Sequence, residues 1–170
     1  MASYRAGCGV SRRRSLYRSW LAACTLLYSI AAGACSNPVS PEEKIDRLMA
    51  ETAARLHTLE DVRAVQSQFR SRPDSSLGLP TARRVFLNGL AGDCASAAVL
   101  GQWSLAQIGM PATVYLLNSP EWGHCIAVTD DGAVMISNRD VVELIDPANW
   151  TTEVMAMFGN AYTEIRRGTP

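Results

Sequence analysis

The sequence predicts an α+β domain, and three observations carry that prediction. Apolar residues recur at helical spacing between Glu42 and Phe69. A second apolar stretch, beginning at Cys94, stands between a capping aspartate and a Gly–Pro stop. Three segments of strand-like composition then follow: "ATVYLLN", "WGHCIAVT" and "AVMISN". Helices first and antiparallel strands afterwards is the α+β order. At 170 residues the chain holds one domain plus appendages.

The N-terminus is the appendage. Residues 1–34 carry Arg5, Arg12, Arg13, Arg14 and Arg18 and no acid, with an apolar run from Trp20 to Ala34. A basic head, a run too short for a comfortable membrane span and a small-residue end predict a secretory signal. An N-terminal core helix is the alternative, but the run lacks a polar face. "AAGAC" is similar to a bacterial lipobox, which makes Cys35 the residue to be acylated, although Ala32 stands where leucine is usual. "LAAC", ending at Cys24, fits the letters better but has too little apolar sequence before it. Plain cleavage nearby is the alternative to lipidation. "SRRRSL" resembles a twin-arginine signal with Ser15 in place of an aromatic. The expected layout is a signal over 1–34, a tether over 35–42 and a domain over 43–170. It predicts an exported chain, lipid-anchored in the periplasm or on the outer face of a membrane.

Of 16 basic residues, five lie in that leader, leaving 11 against 16 acids and a net charge near −5 for the rest. No basic face is expected, hence no nucleic-acid partner. No internal repeat is present.

In the domain, Ile45, Leu48, Met49, Leu56, Leu59, Val62, Val65 and Phe69 form an apolar stripe that Thr52 joins. "TLED" at 58–61 resembles a capping box and predicts two helices with a bend. His57 has only small or charged helical neighbours and is expected to face solvent. "SRPDSSLGLP" is loop by composition, and "TARRVFLNGL" predicts a short helix. The next helix has Asp93 as N-cap and Cys94 in its first position, with Gly109 and Pro111 as the stop. Ala97, Val99, Leu100, Trp103, Leu105 and Ile108 make it apolar on most sides, so it is expected to be buried. A C-terminal helix is expected around Trp150–Phe158.

Cys94 and His124 are the candidate chemistry. A thiol attacks as thiolate, and the free N–H groups and dipole of a helix start favour that anion. An imidazole nearby holds the proton and later delivers it to a leaving group. A third polar residue orients the ring. With a three-residue "DDG" loop, His124 falls opposite Asn138, the first choice. A two-residue turn puts Arg139 opposite with Ser137 beside it on the same face. A four-residue loop puts Ser137 opposite, and Asp140 lies just beyond.

"GDCASAAVLGQWSLAQIGMPATVYLL", "GHCIAV" and "DGAVMISNRDVVEL" together resemble the bacterial transglutaminase-like cysteine proteinases, over about residues 85–145. The resemblance implies a papain-like fold, with a nucleophile-bearing helix packed on a small antiparallel sheet behind one or two N-terminal helices. It also implies hydrolysis of a peptide amide bond by Cys94 as nucleophile and His124 as base. In that family an acidic pair follows the cysteine and binds calcium in some members; here Ala95 and Ser96 stand there. The family's Leu-Asp-Asn places Ser137 at the aspartate and Asn138 at the asparagine. The backbone N–H of Cys94, with Asn88 just upstream, is the expected oxyanion site.

Other roles compete for these residues. Strand alternation sends His124 and Cys125 to opposite faces, so only one of them is expected to face Cys94. If that one is Cys125, an exported chain would form a disulfide there. Trp122 shares the His124 face and is either a wall of the site or core. Asp146 in "IDP" resembles the aspartate-proline of other transglutaminase-like domains but lies far from the histidine in sequence. His57 and His124 are the only histidines and the cysteines lack ligand spacing, so no metal or cofactor is expected. The function expected is an amide hydrolase acting on a protein or peptide. The alternatives are an inactive peptide- or envelope-binding lipoprotein on the same scaffold, or an acyl or amide transferase using the same residues.

Overall fold

A computed structural model describes residues 39–73, 78–159 and 161–168. Residues 1–38, which include the expected signal and Cys35, lie outside the described residues. Residues 41–170 make one compact unit, a mixed helix-and-sheet structure.

Helix α1 (Pro41–Ala53) and helix α2 (Leu59–Ser67) divide at the expected capping box. The Thr58 N–H donates to Asp61 Oδ2 at 2.8 Å, and the Asp61 N–H donates to Thr58 Oγ1 at 3.3 Å. These two bonds satisfy donors that a helix start leaves free. His57 is exposed. Strand β1 (Arg70–Ser71) runs parallel to strand β2 (Ala91–Gly92), with helix α3 (Ala82–Leu87) between them in sequence. The β2 strand delivers the chain to helix α4 (Cys94–Gln107).

Strands β3 (Ala112–Asn118), β4 (Gly123–Thr129), β5 (Val134–Ser137), β6 (Asp140–Glu143) and β7 (Glu164–Arg167) form one antiparallel sheet in the order β6-β5-β4-β3-β7. A 3-10 turn (Pro147–Asn149) and helix α5 (Trp150–Met157) precede β7. Sequence patterning predicts β3, β4 and β5 to within two residues at either end and misses β6 and β7. The missed pair are the sheet's two edges, with compositions DVVE and EIRR. Charged, half-exposed residues suit an edge because they discourage pairing with another chain, and they erase the alternation that marks a strand.

Alternation along the strands splits the core in two. On one face Val114, Cys125, Ala127, Val134 and Ile136 pack against α4 residues Ala97, Ala98, Leu100 and Leu105, with α2 and α3 behind. Leu100, Leu105 and Ile136 are fully buried, and each contributes about 2 kcal/mol of hydrophobic stabilisation. Gly101 lets the helix approach closely, since a β-carbon there would lie 2.8 Å from Ile136 Cδ1. On the other face Leu117, Ile126, Val128 and Met135 pack against Val154, Phe158 and Tyr162.

The β4–β5 hairpin corrects the register drawn from a three-residue loop. Ile126 pairs with Ser137, Ala127 with Ile136 and Val128 with Met135. The Thr129 hydroxyl accepts the Val134 N–H at 2.9 Å, while the Gly132 N–H closes a turn onto the Thr129 carbonyl at 2.8 Å. Gly132 adopts φ +74°, a conformation that glycine takes without a Cβ penalty. Extending this register past Ser137 aligns His124 with Arg139 rather than Asn138.

Candidate active site

Cys94 is the first residue of α4 because the chain is capped one residue earlier. Asp93 is extended, and its Oδ1 accepts the Ser96 N–H at 3.0 Å. Gly92 has no room for a side chain, since a β-carbon there would overlap Ser96 Oγ. This holds the entering strand tight against the first turn of the helix. Cys94 is half-buried, and its thiol pKa falls from an ordinary 9.0 to about 4. Hydrogen bonds from the Cys125 thiol and then from the His124 ring are the main causes. The Cys125 backbone N–H adds to them, and burial opposes them. The Cys125 thiol is pushed the other way. It donates its proton toward Cys94, lies buried, and feels the negative charges of Cys94 and Asp93. The two sulfurs therefore behave as one donor–acceptor pair that releases its first proton easily and keeps its second.

His124 lies on β4 opposite Leu117 and is only 9% exposed. Its Nε2 lies 2.9 Å from Ser137 Oγ, which leaves Nδ1 as the nitrogen available to the thiol. The ring sits 5.5 Å from the Phe158 ring and 6.4 Å from that of Tyr162, nearly parallel to the latter at 29°. Phe158 and Tyr162 meet edge to face at 5.4 Å, and Trp122 caps Tyr162 at 4.9 Å. These aromatics keep water from one side of the imidazole and limit its rotation. The Tyr162 phenol is shifted up by burial and by the nearby Cys94 charge.

The structure thus brings Cys94, His124 and Ser137 together. Asn138, the first choice from loop counting, is exposed in the β5–β6 turn at φ +52°. Its carbonyl accepts the amide N–H of Gln66, which also donates to the Ala97 carbonyl at 3.0 Å. Asn88 caps the C-terminus of α3, its N–H donating to the Arg84 and Phe86 carbonyls, and none of its described contacts reaches Cys94. Asp140 is exposed at the start of β6, and Asp146 caps the 3-10 turn through Asn149. Trp122 is 54% exposed, so it shields the site from outside rather than filling the core.

Alternation holds for the faces, since Cys125 packs in the α4 cluster while the His124 ring lies against Phe158 and Tyr162 of the other one. The expectation that only one of them could meet Cys94 fails. The nucleophile sits at the tip of α4, at the Gly123–Cys125 end of β4, where groups from both faces converge on it. Cys94 and Cys125 are free thiols. Gln66 and Tyr162 are site-supporting residues that sequence reasoning missed. Gln66 resembles any polar helix residue, and Tyr162 follows the last legible helix.

A cleft of about 470 Å³ opens beside the thiol, walled by Leu79, Ala95, Val114, Leu116 and Cys125, with Arg166 on its β7 side. Leu79, Val114, Arg167 and Gly168 also line a groove of about 940 Å³ running along β3 and α4. Among the described residues no cluster of three or more His, Cys, Asp or Glu is placed to hold a metal ion.

The fold and site define a thiol–imidazole pair on an α+β domain. No protein-family model matches the chain, and no curated protein matches it. Among solved structures, it is similar to Legionella pneumophila LapG in its calcium-bound form. That match has 15% identity and a TM-score of 0.48, covering 68% of this chain and 75% of that one. A LapG structure treated with EGTA matches at 14% identity and TM-score 0.46, over 61% and 67% of the two chains. A third LapG structure matches at 14% and 0.47, over 61% and 68%.

Proposed function

We propose that the chain is an exported, lipid-anchored cysteine hydrolase of the papain-like, transglutaminase type that cleaves an amide bond in a protein or peptide. The observation carrying this reading is the Cys94 sulfur at a helix start, its pKa lowered by the neighbouring Cys125 thiol and by an imidazole whose far nitrogen is held by Ser137. In the proposed reaction the Cys94 thiolate attacks the carbonyl carbon, and a C–S bond forms as charge moves to the oxygen. The Cys94 backbone N–H stabilises that oxyanion; nothing in the surroundings of Asn88 supports the second donor expected there. His124, protonated, gives its proton to the leaving nitrogen as the C–N bond breaks. Water then attacks the thioester with His124 as base, releasing the acid and restoring the thiol. Ser137 orients the ring without adding a negative charge. The groove continuing past Gly168 suits an extended polypeptide on one side of the bond.

Export and acylation at Cys35 rest on the leader's residues, and a Cys35→Ser change should move the protein from the membrane to the soluble fraction. The catalytic reading is tested on reduced full-length chain by the rate of iodoacetamide labelling. Trypsin leaves Cys94 and Cys125 on one peptide, residues 85–139, apart from the other three cysteines. Fast labelling at Cys94 near neutral pH, slowed in His124→Ala, supports the reading. Labelling at the rate of free cysteine refutes it. A reactive Cys94 in a protein that binds peptides and cuts none would favour the inactive scaffold, to which the Ser137 hydroxyl in a carboxylate's place already points.

A further inference from the structure

We infer that Cys125 is a resolving cysteine, which captures an oxidised Cys94 as an intramolecular disulfide and so makes oxidation of the nucleophile reversible. Both thiols line one cleft and pack in one core cluster, Cys125 projecting from the β4 face that α4 covers. The two thiols are close enough to shift each other's acidity in opposite directions, and both are unbridged. The rest of the reaction as proposed above gives Cys125 no bond to make or break. A serine there could also donate a hydrogen bond to the Cys94 sulfur, but only a thiol can form a bond with that sulfur once it is oxidised.

The sequence of steps balances with a peroxide as oxidant. The Cys94 thiolate attacks one peroxide oxygen; an S–O bond forms, the O–O bond breaks, and the second oxygen leaves as hydroxide or alkoxide. Cys94 has then lost two electrons and become a sulfenic acid. The Cys125 sulfur next attacks the Cys94 sulfur. The S–S bond forms, the S–O bond breaks, and the hydroxyl leaves as water with the proton Cys125 gives up. Accessibility orders the two roles. Cys94 is half-exposed in the cleft and meets the peroxide, whereas Cys125 is buried and reaches only its neighbour. The charge of Cys94 is one of the things that keeps the Cys125 proton in place. Oxidation of Cys94 removes that charge, so the resolving thiol is freed at the moment it is needed. A small thiol or a dithiol protein then reopens the bridge by exchange.

The test treats reduced full-length protein with hydrogen peroxide, alkylates remaining thiols and weighs the tryptic peptide 85–139. The expected wild-type product is that peptide two hydrogen masses lighter and unalkylated, with dithiothreitol restoring both the thiols and Cys94 labelling. In Cys125→Ser, and in Cys125→Ala should the serine variant fold poorly, Cys94 should gain two or three oxygens and dithiothreitol should restore none of its reactivity. Wild-type protein that over-oxidises at Cys94 as the variants do would overturn the inference. So would a Cys94–Cys125 bridge already present on purification that opens only after denaturation, since that is a structural staple. Neither readout depends on amide cleavage, so a failed search for peptide substrates leaves this result standing by itself.

Discussion

The two faces of the central sheet divide the work unequally. The face under α4 supplies the nucleophile and is held by an apolar helix, an N-cap and a glycine at the point of closest approach. The face under α5 supplies the base and is held by three aromatic rings from Trp122 and from the chain just beyond that helix. The first is built from local rules of helix start and burial. The second exists only because distant segments meet. A thiol needs a dipole and donors, which a single helix end provides. An imidazole needs a fixed orientation, which takes walls on several sides.

Substitutions sharpen that contrast. The largest effect is expected from His124→Ala, which removes the group that shares and delivers the proton. Amide cleavage should fall by about 10²–10⁴-fold, read as kcat/KM on any peptide found to be a substrate, at a temperature where the variant is folded. Tyr162→Ala should break the aromatic face instead. Tyr162 is 3% exposed, and truncation of a buried ring costs about 3 kcal/mol, measured by urea denaturation. If stability holds and only activity drops, the ring cluster orients His124 without supporting the fold.

Gln66→Leu comes next. It removes the bonds that tie α2 to the Ala97 carbonyl and to the turn after Ser137, and should cost about 2 kcal/mol. Asp93→Ala deletes the α4 cap and should cost about 1 kcal/mol, with Cys94 labelling slowed if the first turn frays. Ser137→Ala is the mildest. Loss of one hydrogen bond worth about 1 kcal/mol predicts about a fivefold drop in rate, and an unchanged rate would mean the aromatic rings alone orient the imidazole.

The pH profile of Cys94 alkylation follows from its lowered pKa. Only the thiolate reacts, so a lowered pKa extends reactivity to lower pH. Labelling should stay near its plateau at about pH 6, where an ordinary thiol is almost wholly protonated, and fall only as pH drops toward about 4. Cys125→Ala, which removes the largest stabiliser of that anion, should move the inflection upward. A wild-type profile centred near the ordinary thiol value of 9.0 would remove the basis for the paired thiols.

Much of this fold is legible in the amino-acid sequence. Asp93, Cys94, Gly109 and Pro111 mark α4 by chemistry that acts over a few residues: capping, left-handed geometry and a missing N–H. Thr58 and Asp61 mark the α1–α2 break in the same way. The α+β order and three of the seven strands, all in the five-stranded sheet, follow from apolar alternation. What partner His124 would meet was not readable, because a hairpin's register depends on how the loop closes. Here the Thr129 hydroxyl stands in the ladder and shifts the pairing by one, and a one-residue slip exchanges the faces. Ser137 was therefore only one of several choices, and Asn138 the wrong first one for contact with the ring.

The sequence alone determined where the helix holding Cys94 begins and that His124 and Cys125 leave β4 on opposite faces, since both depend on neighbours in the chain. Tertiary structure decided that the helix begins at the tip of that strand rather than across its middle. At the end of the strand a sulfur is open to both faces, so the thiol acquired an imidazole and a second thiol at once. Packing distance, and not any local propensity, set that outcome.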